Sequence, residues 1–133
     1  MIGVVLVSHG SLAAGLKDAV EMIAGPQEHF VAIGMPAGGS LEQLRREVEA
    51  AVRQMMSDGE VLILIDILGG NPASASLQLA LQGTQVICGV NLPMLLEILV
   101  QREYMSLRDL TPIAIQAAKE GVINLTQRLA DRG

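Results

Sequence analysis

Aromatic side chains are almost missing: Phe30 and Tyr104 are the only two in 133 residues, and there is no tryptophan. The core must therefore be aliphatic, built from Val, Ile, Leu, Ala and seven Met. The stacking platforms that hold single-stranded nucleic acid are missing too. So are the aromatic partners of a flavin site. Basic runs are also lacking, since nine Lys and Arg face fourteen Asp and Glu for a net charge of −5. Nucleic-acid binding needs a clustered positive footprint, so that class is excluded. The single cysteine, Cys88, cannot form an internal disulfide and reads as packing within an apolar run. No apolar run approaches the ~20 residues of a membrane span. Even "VLILIDIL" is broken by Asp66. The opening "MIGVVLV" lacks the basic region and cleavage site of a signal peptide. These absences together predict a cytoplasmic protein.

What is present is a regular alternation within what reads as one domain, residues 1–133. Apolar runs at 2–7, 30–34, 61–65 and 86–90 are continuous, as in strands covered on both faces of a parallel sheet. Between them, Leu12, Leu16, Val20 and Ile23 recur at helical spacing. So do Leu41, Leu44, Val48, Val52 and Met55, behind a capping box of Ser40 and Gln43. A third helix opens at "NPASASLQLAL", with Asn71 as N-cap and Pro72 at the first helical position. A fourth runs through "NLPMLLEILVQ". A fifth spans "SLRDLTPIAIQAAKE", where Pro112 must lie within the first two turns or kink it. After Gly121, "VINL" (residues 122–125) is a candidate short edge strand. The pattern predicts an α/β doubly wound three-layer sandwich on a mostly parallel sheet.

In such a sheet the first and third strands lie side by side, and the crevice above their carboxyl ends takes the ligand. His9 follows the first strand and Asp66 closes the third. Gly69 and Gly70 come next, ahead of Asn71 and a helix whose free N–H groups suit an anion. A histidine, a carboxylate or a glycine pair can each be explained by turn chemistry, but here all three converge on one crevice. His29 lies in the polar connection "PQEHF" and reads as a solvated loop residue. Met35, Leu68 and Met94 follow strands at the same end as His9, where they could form an apolar docking rim.

Other chemistries fit less well. "SHGS" is not a nucleophile elbow, and no second histidine is available beside Asp66 for a triad. There is no cluster of metal ligands, no P-loop and no G-x-G-x-x-G. A histidine nucleophile, an acid to orient it and an anion cradle remain, a set suited to reversible phosphoryl transfer through phosphohistidine with no cofactor.

At these residues the chain resembles the enzyme IIA component of the mannose-family sugar phosphotransferase system. "VVLVSHGSLAAGLKDAVEMI", "LILIDILGGNPASAS" and "VICGVNLPMLLEIL" resemble three of its motifs in the correct order across essentially the whole chain. The resemblance implies a 2-1-3-4 parallel sheet. It also implies that His9 takes a phosphoryl group from the phosphocarrier HPr and passes it to a IIB component serving membrane subunits IIC and IID. Asp66 would bind the other imidazole nitrogen, and Gly69, Gly70 and Asn71 would hold the phosphate. A homodimer is implied as well, with "VINL" crossing to the partner's sheet. Asn71 departs from relatives that carry serine before the proline. Two other readings stay open: the phosphoryl donor subunit of dihydroxyacetone kinase, and a phosphorylatable regulatory module docking on a transcription factor.

Overall fold

A computed structural model describes residues 1–132. Four parallel strands form one sheet in the order β2-β1-β3-β4. They are β1 (Gly3–His9), β2 (Phe30–Met35), β3 (Val61–Ile65) and β4 (Gln85–Cys88). The helices are α1 (Leu12–Ala24), α2 (Leu41–Met56), α3 (Asn71–Leu81), α4 (Leu92–Gln101), α5 (Leu107–Glu120) and α6 (Leu125–Arg132).

Central strands β1 and β3 explain the uninterrupted apolar runs, because both their faces are covered. Val4, Leu6, Leu62 and Leu64 pack under α1, α4 and α5. Val5, Val7, Ile63 and Ile65 pack under α2 and the start of α3. Side chains alternate across a strand, so consecutive residues feed opposite layers and every position must be apolar. Three layers result, with helices on both faces of the sheet as the βα alternation predicts.

β1 pairs with β3 through Val7↔Ile65, which brings the carboxyl ends of the two strands together. β1 continues two residues beyond the apolar run, so His9 is its last residue and pairs with Met35 of β2. The opposite end of the sheet is closed by a residue with no sequence motif. Arg102, only 3% exposed at the end of α4, reaches back across the strand starts. Its Nη1 donates to the carbonyls of Ile2 and His29, and its Nη2 to Glu28 O and Gln27 Oε1.

Four local expectations are corrected. The N-cap of α3 is Gly70, with Asn71 in the first helical position and Pro72 in the second. The Asn71 side chain accepts nothing from the first turn; its Nδ2 lies 3.5 Å from Met35 Sδ. Only half of the Ser40 capping box forms: Gln43 N–H donates to Ser40 Oγ, while the Gln43 side chain bonds Glu47. Met94 is core rather than rim, at 2% exposure. Finally, "VINL" is not a strand. Asn124 Oδ1 accepts from Gln127 N–H at 3.0 Å and caps α6, so Leu125 is helical. A local asparagine cap needs only its own chain, whereas a strand needs an open edge in register.

Candidate functional site

The site is assembled by the two strand ends that the topology makes neighbours. Asp66, one residue beyond β3, turns its carboxylate onto His9. Its Oδ2 accepts the His9 backbone N–H at 3.0 Å and lies 2.8 Å from the ring Nδ1. Its Oδ1 accepts Ile67 N–H at 2.9 Å. One carboxylate thus holds both the main chain and the ring of the histidine. Burial pushes the Asp66 carboxyl upward, but hydrogen bonds and charge from His9, with the Ile67 N–H, outweigh it and leave it below its usual range. An ionised carboxylate only accepts, so Nδ1 carries the proton and Nε2 presents its lone pair.

The free edge of the ring faces Gly70. A Cβ at Gly70 would lie 2.8 Å from His9 Nε2, and the residue has φ 94, so a side chain here is excluded both by space and by backbone conformation. Gly70 opens α3, whose first N–H groups have no acceptor within the helix. Ser74 N–H reaches Gly70 O, and Pro72 has no N–H, leaving those of Asn71 and Ala73 at the helix start. The His9 side chain is 48% exposed and that of Asp66 only 10%. The imidazole is therefore open to solvent while the carboxylate that it pairs with is shielded. Exposed Leu12, Ile67 and Leu68 follow the two strand ends. With half-buried Met35 they supply the apolar rim that Met94 does not.

A family model described as "PTS system fructose IIA component" matches residues 3–115. The chain belongs to the mannose-family IIA components of the sugar phosphotransferase system. It is 37% identical over 112 residues to the fructose-specific EIIA component of Bacillus subtilis (strain 168), covering 83% of this chain and 77% of that one. It is 33% identical over 124 residues to the mannose-specific EIIAB component of Escherichia coli (strain K12), covering 91% of this chain but 38% of that longer protein. The crystal structure of EIIA from Streptococcus agalactiae superposes with a TM-score of 0.88 at 32% identity, covering 96% of this chain and 99% of that one. The 2-1-3-4 sheet is the fold of this family, and phosphoryl transfer is the family's chemistry.

Within this IIA fold, His9 lies against both Asp66 and Gly70, and Asn71 follows as the first residue of α3; exposed Gly69 lies in the bend before it. Lys17, the nearest cation in sequence, is not at the site: its Nζ sits 5.8 Å from the Phe30 ring centroid, at the far end of β2. No group of metal ligands occurs among the described residues, and no helix is long and apolar enough to cross a membrane.

Sequence reasoning missed two contributors. Ser8, 1% exposed, donates from Oγ to His9 O at 3.0 Å and accepts Ala13 N–H at 2.7 Å. It thereby caps α1, while Ser11, the residue at the formal N-cap, makes no side-chain bond. The signal was a hydroxyl directly before the histidine, read only as part of a failed nucleophile elbow. The second is Gly34 on β2, which no motif marks.

Proposed function

We propose that His9 carries a phosphoryl group from phosphorylated HPr to a IIB component. The Nε2 lone pair attacks the phosphorus of the donor phosphohistidine; the new N–P bond forms as the donor's N–P bond breaks, and the donor imidazole takes back the electron pair. Delivery to IIB is the same exchange with His9 as the leaving group. Nδ1 keeps its proton throughout. Asp66 accepts that proton's hydrogen bond and balances the cationic character that the phosphorylated ring gains. The N–H groups opening α3 receive the phosphoryl oxygens, whose charge of about −2 would otherwise be repelled by Asp66. The observation that carries this reading is the pairing of Nδ1 with Asp66 while Nε2 faces the Gly70 main chain.

The apolar residues Leu12, Ile67 and Leu68 around the nucleophile suit successive, transient docking of two protein partners. IIC and IID would be reached only through IIB, in the cytoplasm. A homodimer belongs to the same proposal, supported by exposed Val122, Ile123, Leu125 and Leu129 and by the open edge of β4. The test is incubation with phospho-HPr, followed by phosphorus NMR of the product and then addition of a IIB component. The expected product is a single phosphohistidine modified on Nε2 at His9, discharged by IIB. Phosphate on any other residue would reject the assignment.

A further inference from the structure

We infer that Gly34, on the edge strand β2, is a positioning residue that sets the pose of His9 without touching its ring; this rests on His9 being the phosphoryl acceptor. After β1 the chain turns through Gly10, at φ 54, and Gly10 N–H donates to Met35 O at 2.8 Å. This folds the Gly10 peptide down onto β2, where its carbonyl oxygen occupies the place of a Gly34 side chain. A Cβ at Gly34 would overlap the Gly10 oxygen, and it would meet no other residue within 4 Å. Backbone conformation does not call for glycine here, because Gly34 is absent from the positive-φ residues. Space for the His9–Gly10 turn is what calls for it.

A methyl group at Gly34 leaves two ways out, and both reach His9. The Gly10 peptide can lift, stretching the bond to Met35 and dragging the His9 carbonyl off the Ser8 hydroxyl. Alternatively β2 can retreat, but it is paired to β1 at Ser8↔Gly34 and His9↔Met35, so the end of β1 moves with it. The imidazole is fixed at one end by Asp66 and at its opposite edge by Gly70. A main-chain shift therefore appears as a mismatch between ring, carboxylate and cradle. Misplacement by about 1 Å is enough to slow a transfer by up to ~100-fold.

The experiment compares wild type, Gly34→Ala and Gly15→Ala. Gly15 lies on the exposed face of α1, where an added Cβ meets nothing within 4 Å, so it receives the same chemical change in open space. Gly34→Ala should keep its circular dichroism and unfold cooperatively, at a lower melting temperature because the Gly10 turn must give way. Its maximal rate of phosphoryl acceptance from phospho-HPr should fall about ten- to a hundredfold with little change in KM. In the unphosphorylated protein the His9 Nδ1–H resonance should shift or broaden. Gly15→Ala should match wild type in transfer rate and in the Nδ1–H resonance, with a melting temperature no lower, since alanine favours the helix. A Gly34→Ala protein with wild-type rates and an unmoved Nδ1–H signal would overturn the inference. So would one that fails to fold, since Gly34 would then be structural. If wild type takes no phosphate at His9, the functional reading fails, and the Nδ1–H signal still decides whether Gly34 sets the ring.

Discussion

The two histidines of this chain each stand near an aspartate, at opposite ends of the sheet, and only one pair makes a candidate site. His9 Nδ1 lies 2.8 Å from Asp66, whose carboxylate is shielded. His29 Nδ1 lies 4.0 Å from Asp58, whose side chain is 61% exposed, so that pair is loose and solvent-screened. At the His9 end, strands finish and helices begin, leaving unpaired N–H groups and glycines beside the ring. At the His29 end, the backbone is consumed by structure: its carbonyl accepts both Val4 N–H and Arg102 Nη1. His29 also sits at φ 49, a left-handed conformation in the turn that starts β2. A histidine becomes a candidate nucleophile here through what its main chain leaves free.

Removing each histidine tests that contrast most sharply. His9→Ala should abolish labelling by phospho-HPr, and His29→Ala should leave it near wild type, measured by phosphate incorporation per folded molecule. Equal labelling of both variants would erase the distinction between the two ends.

Asp66→Asn comes next. Losing the charged acceptor should slow transfer in both directions by roughly 10- to 100-fold, the usual range for a residue orienting an imidazole, with the fold retained. Acid should reproduce part of this effect. Because the folded Asp66 pKa is lowered, its contribution to stability is fully present above the ~3.9 of an unfolded aspartate and is lost only as pH falls through the lower folded value. The carboxyl carbon of Asp66, followed by NMR, should therefore titrate below the other aspartates in the wild type. A midpoint at or above theirs would remove the basis for its role.

The smallest effect on transfer should come from the other end. Arg102→Met takes the guanidinium donor from the carbonyls of Ile2, Glu28 and His29, of which His29 keeps its bond from Val4 N–H. A loss of about 2–4 kcal/mol in denaturant unfolding is expected. Molecules that remain folded should accept phosphate at near wild-type rates. A large rate loss without a stability loss would show that the two ends are coupled.

Much of this was legible from residue order. The continuous runs feeding β1 and β3 announced a two-sided parallel sheet, because a strand covered on both faces has no polar position to offer. Local signals also identified His9, Asp66 and the glycine pair before α3, since strand-to-helix turns carry recognisable residues. Signals of one residue's reach were less reliable. Asn71 has the chemistry of a cap, yet Gly70 occupies that place, because the chain must stay bare where it passes the His9 ring. "VINL" has the composition of a strand, but an asparagine three residues into it found a helix to cap.

Side-chain patterning along single elements determined the layers, the element order and the candidate nucleophile, because burial and helix capping act over a few residues. Tertiary structure alone decided which nitrogen of His9 is free, that Ser8 holds its carbonyl, that Gly34 makes room for its turn, and that Arg102 closes the far end. Those contacts join residues 24 to 100 positions apart, or depend on where a hydroxyl points. No local pattern encodes them; they exist only once β1 lies between β2 and β3.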